Sequence, residues 1–271
     1  MEIWKIKDIS FTHAPSSSWH HVSSYVEWDR NEPEKTDVIF YTDDSLHLAA
    51  NEKCRKKIAW LMEPYDIQPH AYNFVRSNLD LFDIVLSHNR QFIEEIPNGY
   101  WVPVGGCWIR EEDHKIYDKS ELVSIVASSK KWLEGHSLRH QVINLARHTL
   151  HVAGRGYKEI DYKLDMLKNY AFHVVIENTK TDGYFTEKLI DSFLTGSIPI
   201  YWGDPNITSF FDERGMIVCN SLEEIVWAIN NISFNYYEEA KKYVAENFKI
   251  AKEYKIAEDW IFKNLQTKIL E

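Results

Sequence analysis

Short apolar runs along the chain alternate with longer segments in which apolar residues recur every three to four positions. The longer segments predict helices, for example at 68–81, 137–147 and 222–231. Strands that alternate with helices are typical of parallel sheets with helices on both faces, so the pattern predicts an α/β fold. The runs that predict strands lie at 37–41, 57–62, 82–87, 101–104, 122–127, 150–153, 172–176, 198–201 and 216–219.

A polar segment at 110–120 divides the predicted strands into two sets. It follows Pro103, Gly105 and Gly106, a cluster that favours a turn or hinge. We therefore expect an N-terminal domain over 1–115, a second domain over 116–235 and an amphipathic C-terminal helix over 236–271. That helix packs on the body of the protein, either as a plain C-terminal packing helix or by crossing back to the N-terminal domain.

The composition is that of a folded protein with 44% hydrophobic and 27% charged residues in 271. Its net charge of −10 argues against nucleic acid and anionic membranes as partners. Three scattered cysteines favour a reducing compartment over a disulfide framework. No apolar run approaches the ~20 residues of a membrane span. These features predict a cytoplasmic location, in a bacterium or in a virus-infected host cell.

Residues 172–203 carry the densest pattern of reactive side chains. An apolar run ends at Glu177-Asn178, a polar loop follows, and an amphipathic segment then begins at Thr186. Thr186 can cap this helix through its hydroxyl. We expect its apolar stripe to pack on the sheet and Gly196 to end it. The stripe consists of Leu189, Ile190, Phe193 and Leu194.

Lys188 lies in the first turn of this predicted helix, where the helix dipole disfavours a cation. The unpaired N–H groups of a helix start suit a phosphate, so the placement suggests an anionic partner. The alternative is that Thr186 and Glu187 are ordinary capping residues and that Lys188 points into water.

The wider segment GYFTEKLIDSFLTGSIPIYWG resembles the donor-site signature of the family 10 glycosyltransferases, the α-1,3/1,4-fucosyltransferases. IENTKTDGYFTEK matches the family pattern of an E-N pair, a short loop and Y-x-T-E-K. The resemblance implies a GT-B fold, with two Rossmann-like domains facing across a cleft, and a GDP-sugar donor. It also implies that Tyr184, Glu187 and Lys188 contact the nucleotide, with Lys188 near the diphosphate.

A second group of cations follows the predicted strand at 122–127. The resemblance implies that an Arg after this strand reaches the diphosphate; Arg139 matches it, and Lys131 is the alternative. Both residues could instead lie on solvated surfaces. Glu177 ends a buried strand and needs a partner, for which Arg139, the donor hydroxyls and the amides of the 178–183 loop are candidates. The full predicted donor-binding set is Ser128, Lys131, Arg139, Glu177, Asn178, Tyr184, Thr186, Glu187 and Lys188.

Sugar transfer to a hydroxyl also needs a general base. Glu63 is the candidate, because the predicted strand at 57–62 delivers it to the carboxyl end of a sheet and Pro64 stops the strand there. The resemblance implies a catalytic Glu close to this position. Burial near aromatic residues would raise the pKa of Glu63 toward neutrality. Asp66 and His88 are alternative bases, and Glu63 could instead cap a turn or pair with Lys57 or Arg76.

Metal-binding patterns are weak in this sequence. Asp43-Asp44 follows a strand but lacks D-x-D spacing, and Asp44 fits better as a helix N-cap. His136 and His140 have the spacing of helical metal ligands without a third ligand. Because Lys and Arg can neutralise a diphosphate, we predict no obligatory metal or other cofactor, with Mn²⁺ or Mg²⁺ as an optional aid.

An aromatic stretch near the N-terminus, at 16–30, contains Trp19, Tyr25 and Trp28 among polar residues. It is predicted to be a poor core strand. It is either a loop that faces a sugar acceptor or a set of aromatics that pack in the core.

Together with the resemblance, which alone implies the fucose and the GDP donor, these patterns predict an inverting glycosyltransferase. It would move fucose, or a related sugar, from a GDP-sugar to a hydroxyl of a glycan acceptor. One alternative is a glycoside hydrolase in which Glu63 and Glu177 form an acid/base pair. The other is a non-catalytic protein, derived from a transferase, that binds nucleotide sugars or glycans.

Overall fold

The computed structural model describes residues 1–12, 14–35 and 37–271. The chain forms two compact units. The first contains residues 1–106, 182–184 and 256–271, and the second contains 107–181 and 185–255. The chain passes from the first unit to the second after residue 106 and returns to the first after residue 255. The domain boundaries predicted from the sequence lie at 115 and 235.

The first unit is built on a six-stranded parallel sheet with the order β2-β1-β3-β4-β5-β6. Neighbouring residues of its central strands are both buried, so helices must cover both faces. The strands are β1 (Glu2–Lys7), β2 (Val26–Asp29), β3 (Val38–Thr42), β4 (Lys56–Leu61), β5 (Ile84–Ser87) and β6 (Gly99–Trp101).

Helices α1 (Pro69–Ser77) and α2 (Arg90–Glu94) cover one face of this sheet, and α7 (Ala257–Leu270) covers the other. The α7 face is rich in aromatic rings. Trp4 and Phe40 stack there with their centroids 5.1 Å apart. The last helix of the chain therefore completes the core of the first unit.

Strands β1 and β2 were not predicted from the apolar pattern. Val26 and Trp28 of β2 are buried whereas Glu27 between them is exposed, so only one face of this edge strand is apolar. The prediction that this stretch makes a poor core strand is wrong for Val26–Asp29, because Trp28 packs into the core. Trp19 is 55% exposed.

The second unit has a five-stranded parallel sheet with the order β11-β10-β9-β7-β8. Its buried core joins the sheet to α3, α5 and α6. The strands are β7 (Glu121–Val126), β8 (His151–Ala153), β9 (Tyr170–Ile176), β10 (Ile198–Trp202) and β11 (Ile217–Val218). The helices are α3 (Glu134–Ala146), α4 (Glu187–Leu194), α5 (Leu222–Asn231) and α6 (Phe234–Ala251).

Each predicted strand overlaps an observed one, and the predicted α/β class is confirmed. The predicted helix at 68–81 is split into α1 and a 3₁₀ turn, Leu79–Leu81. Among the described residues, no helix combines the length and the apolar character needed to cross a membrane.

Candidate functional site

Glu177 lies immediately after β9 with no exposed surface. Its Oε1 accepts a hydrogen bond from the amide of Thr186 at 2.9 Å, and its Oε2 accepts one from the Thr186 hydroxyl at 2.7 Å. The ammonium of Lys188 is 3.4 Å from Oε2. Its protein partners predicted from the sequence, Arg139 and the loop amides at 178–183, are not the groups that bond this carboxylate. Glu177 therefore ties the end of β9 to the start of α4.

The start of α4 has the predicted construction. Thr186 is the N-cap, and its hydroxyl oxygen accepts from the Lys188 amide at 3.4 Å and from the Lys188 ammonium at 2.9 Å. Gly196 follows the helix with φ of +75°, a conformation that glycine adopts without strain. The predicted apolar stripe, from Leu189 to Leu194, is buried.

Lys188 lies between two carboxylates rather than pointing freely into water. Its Nζ atom is 3.2 Å from Glu187 Oε1 as well as close to Glu177, and its side chain remains 22% exposed. Burial lowers the pKa of Lys188, but the two carboxylates outweigh it and hold this pKa above its ordinary value. Burial likewise raises the pKa of Glu187, yet the Lys188 ammonium holds it below the ordinary value. The lysine is thus charged and ordered at neutral pH.

Arg139 is buried on α3 and lies against the end of β9. Both its Nε, at 2.9 Å, and its Nη2 donate to the Ile176 carbonyl, and Nη2 also donates to Asn178 Oδ1 at 3.0 Å. The alternative of a solvated helix face is therefore wrong for Arg139. Lys131 is exposed, and its carbonyl accepts from the Ser137 hydroxyl. The half-buried Ser128 accepts from the Lys130 amide at 3.4 Å.

Gly135 brings the start of α3 to the same segment, a contact that the sequence reasoning missed. Its amide donates to the Asn178 carbonyl at 3.1 Å. A Cβ atom at this position would lie 1.8 Å from the Glu177 carbonyl oxygen, so only glycine allows this approach. The only sequence signal is a glycine inside the first turn of a helix, where it is otherwise unfavourable. Two helix starts therefore meet the residues Glu177 and Asn178.

Burial and the cationic groups around it lower the pKa of His136. Burial is the largest cause that lowers its pKa, and repulsion from Arg139, Lys130, Lys188 and His140 contributes further, so that the pKa falls to about 4. Several cationic groups therefore lie near the starts of α3 and α4, where Glu177 and Glu187 offset part of their charge. Cations beside helix starts favour the binding of phosphate.

His136 and His140 do not point to a shared metal. His140 Nδ1 contacts the Tyr157 hydroxyl, and its Nε2 contacts the Lys130 carbonyl at 2.9 Å. His136 Nδ1 accepts from the Leu133 amide at 3.4 Å. These bonds orient both rings within the protein.

In the first unit, Glu63 follows the carboxyl end of β4 and is half-buried. Its amide lies 3.4 Å from Asp43 Oδ1, and its carbonyl accepts from the Tyr72 hydroxyl at 2.9 Å. Of the alternative bases, Asp66 is exposed. His88 is fully buried, and its burial lowers the pKa to about 3, so this imidazole is neutral.

Tyr184 is assigned to the first unit, although Thr186, Glu187 and Lys188 belong to the second. Its ring is 2% exposed and packs on His88 with the centroids 4.8 Å apart. In the second unit, contacts join six of the predicted donor-binding residues: Arg139, Glu177, Asn178, Thr186, Glu187 and Lys188. Among the contacts described, Ser128 and Lys131 bond only neighbouring residues of their own loop and of α3, and Tyr184 belongs to the first unit.

Asp44 is not a helix N-cap, which corrects the prediction. The 3₁₀ helix Asp43–Ala50 is preceded by Thr42, which makes no capping bond through its side chain. Asp44 instead contacts His70 Nε2, and its Oδ2 accepts from the side-chain Nε2 of Gln68 at 3.3 Å.

A protein-family model matches the part of the chain that contains this site. The model of glycosyltransferase family 10 (fucosyltransferase), C-terminal part, matches residues 116–268, which include β9, α4 and the Glu177 segment. The chain belongs to glycosyltransferase family 10. The resemblance stated from the sequence is thereby confirmed.

Curated relatives match over short segments. The alpha-(1,3)-fucosyltransferase FucT of Helicobacter pylori is 34% identical over 79 residues, which make up 29% of this chain and 16% of FucT. A putative fucosyltransferase, R654 of Acanthamoeba polyphaga mimivirus, is 39% identical over 57 residues, or 21% of this chain and 10% of R654. The matched segments thus span a small part of these relatives.

Solved structures resemble the chain over most of its length. A crystal structure of alpha1,3-fucosyltransferase has a TM-score of 0.59 and 16% identity, and the match covers 92% of this chain and 90% of that one. The structure with GDP-fucose has a TM-score of 0.56 and 18% identity over 91% and 81% of the two chains. At this identity the likeness concerns the fold, and it confirms the predicted GT-B class with its two Rossmann-like units.

Proposed function

We propose that this protein is an inverting glycosyltransferase that moves fucose, or a related sugar, from a GDP-sugar to a hydroxyl of a glycan acceptor. The observation that carries the proposal is the positive site where the starts of α3 and α4 meet Glu177 and Asn178. Family membership and the structure of a relative with GDP-fucose support the choice of donor.

In this proposal the donor diphosphate binds at the start of α4. Lys188 is already charged and keeps part of its side chain exposed, so it can offer a charge-assisted hydrogen bond to a phosphate oxygen. Arg139 and the two helix starts add positive potential there. These groups stabilise the charge that develops on the leaving diphosphate, which is the main requirement of the reaction.

Glu177, Thr186 and Asn178 shape the site rather than perform the chemistry. Both carboxylate oxygens of Glu177 accept hydrogen bonds from Thr186, and Oε2 also pairs with the Lys188 ammonium. This ion pair orients the lysine. Glu187 pairs with the same ammonium. We assign Ser128 and Lys131 to the rim of the donor site and Tyr184 to the nucleotide, as the family pattern implies.

Glu63 is proposed as the general base. It takes the proton of the acceptor hydroxyl as that oxygen attacks the anomeric carbon of the donor sugar. The bond from this carbon to the diphosphate oxygen breaks, and its electron pair leaves with GDP. Attack from the face opposite the leaving group inverts the configuration of the sugar. A divalent cation is an optional aid in this scheme, since cationic side chains face the leaving group.

The structure speaks against the hydrolase alternative. A hydrolase needs two available carboxyl groups that flank one bond. Glu177 has no exposed surface, and both of its oxygens are engaged by Thr186. The residue therefore cannot serve as the second carboxyl group.

Nucleotide binding and donor turnover test the proposal. We expect GDP to raise the melting temperature more than UDP, CDP or ADP, and GDP-fucose to release GDP slowly to water and faster with glycan acceptors. Tight binding of GDP without turnover on any acceptor would favour the non-catalytic alternative. Failure to bind any of the four nucleotides would refute the donor site itself.

A further inference from the structure

Asp43 combines burial with a strained backbone at the carboxyl end of β3. Its φ of +34° is the only positive value of a non-glycine residue in the described parts of the chain, and its surface is 2% exposed. Such a conformation persists only where the surrounding contacts hold it, and it is found most often at functional sites. Asp tolerates the left-handed region better than most residues.

The carboxylate of Asp43 bonds the segment that follows β4. Its Oδ1 accepts from the Met62 amide at 2.9 Å and, more weakly, from the Glu63 amide at 3.4 Å. Its Oδ2 accepts from the Ser10 hydroxyl at 3.0 Å. All three donors are neutral, so these bonds fix the direction of the backbone without neutralising the carboxylate.

The carbonyl group of Glu63 is also hydrogen-bonded. The hydroxyl of Tyr72, a fully buried residue of α1, donates to the Glu63 carbonyl at 2.9 Å. Two buried side chains from different elements therefore hold the two peptide groups of Glu63. A catalytic group held in this way loses little of its orientation to motion.

We propose that Asp43 is a positioning residue for Glu63, which fixes the Glu63 backbone and strengthens this carboxylate as a proton acceptor. The inference rests on the proposed function, in which Glu63 is the base. An ionised carboxylate close to another one raises the proton affinity of its neighbour.

The charge of Asp43 changes in the neutral range. Burial raises its pKa to about 7 against the opposing bond from Met62, and repulsion from Glu63 adds to the increase. Glu63 faces it from the segment after β4 and Tyr72 from α1. Burial raises the pKa of Tyr72 far above neutrality, so its phenol stays uncharged. We therefore expect kcat to rise as pH increases through about 7.

Asp43→Asn is the decisive variant, because asparagine keeps an acceptor for the Met62 amide and tolerates the left-handed conformation. We expect its kcat for release of GDP from GDP-fucose to fall about 10- to 100-fold. Its GDP affinity should stay within about two-fold, and the limb of the pH profile near 7 should disappear. Asp43→Ala, which removes the acceptor and strains the backbone, should also lower the melting temperature. A wild-type kcat and pH profile in Asp43→Asn would overturn the inference.

Stability provides a readout that needs no turnover. The pKa of Asp43 in the folded protein lies above its ordinary value of 3.8. The protonated Asp43 therefore stabilises the folded state at low pH, and this contribution to the unfolding free energy is lost as pH rises toward 7. In Asp43→Asn, the unfolding free energy should no longer decrease over this pH range. In Glu63→Gln, the decrease should finish at a lower pH, because burial then raises the pKa of Asp43 without the added repulsion from Glu63. Unchanged stability profiles in both variants would refute the coupling even without activity.

The two proposals can fail separately. Full activity in Glu63→Gln would refute Glu63 as the base. If Asp43→Asn then lost activity while Glu63→Gln kept it, Asp43 would act independently of Glu63, and the positioning role would be wrong.

Discussion

The carboxyl edges of the two sheets present different charged groups on similar scaffolds. In the first unit, this edge presents Asp43, Asp44 and Glu63, with one strained residue and a carboxylate that titrates near neutral pH. In the second unit, Lys188 lies in the first turn of α4 between two carboxylates, and Arg139 lies on α3 against the end of β9. Both units are parallel α/β sheets, so the difference comes from residues just beyond the strands. Our proposal accordingly gives proton abstraction to a residue of the first unit and leaving-group stabilisation to residues of the second.

The largest effect should come from the acidic edge. Replacing Glu63 with Gln keeps the shape but removes the proton acceptor, so we expect kcat to fall about 10²- to 10⁴-fold with GDP affinity nearly unchanged. Initial rates and calorimetry measure the two quantities. Asp66→Asn is the comparison, with an expected change of less than about two-fold. The reverse result would make Asp66 the base.

The complementary change at the cationic edge is Lys188→Ala. Loss of a charge-assisted hydrogen bond should weaken GDP binding about 100-fold. Lys180→Ala is the matched control, because Lys180 is an exposed lysine of the loop before α4 and bonds only to Asn220 among the contacts described. Equal GDP affinities in the two variants, measured by calorimetry, would remove Lys188 from the donor site.

The convergence of the two helix starts can be broken with Gly135→Ala. The added Cβ must displace the Glu177 segment, so we expect a loss of about 1–3 kcal/mol in unfolding free energy and weaker GDP binding. Thermal and denaturant unfolding measure the first effect. Glu134→Ala, at the exposed preceding position, should leave stability within about 0.5 kcal/mol. A stable Gly135→Ala variant with normal GDP affinity would show that the close approach is not needed.

The smallest effect separates Arg139 from Lys131. Lys131 is exposed on a loop and screened by solvent, so Lys131→Ala should weaken GDP binding less than about three-fold. Arg139→Lys should have the larger effect, because lysine cannot bond the Ile176 carbonyl and Asn178 in the same geometry. The opposite order in a GDP titration would assign the diphosphate contact to Lys131.

Local pattern was sufficient to predict β9, α4 and the Thr186 cap, because they depend on residues close together in sequence. Strand β2 escaped prediction because it is an edge strand with one apolar face and only four residues. Its apolar positions therefore looked like isolated aromatics in a polar stretch.

The contacts that shape the site depend on longer connections. Arg139, the donor hydroxyls and the amides of the 178–183 loop were the candidate partners of Glu177. The chain turns so that Thr186, nine residues later, reaches both carboxylate oxygens. The sequence suggested only a weak metal-binding pattern for Asp43. Its contact with Met62 joins residues 19 positions apart, so local sequence does not reveal it. A positive φ at a non-glycine residue leaves no mark in the sequence pattern.

Helix α7 has a consequence for the order in which the chain folds. Ala257, Ile261 and Ile269 pack in the same core as Trp4 and Trp60, although more than 180 residues separate them in sequence. During synthesis, the aromatic face of the first sheet stays uncovered until the residues of α7 have left the ribosome. The core of the first unit is therefore incomplete until α7 has been made, and its uncovered aromatic face favours aggregation during that interval.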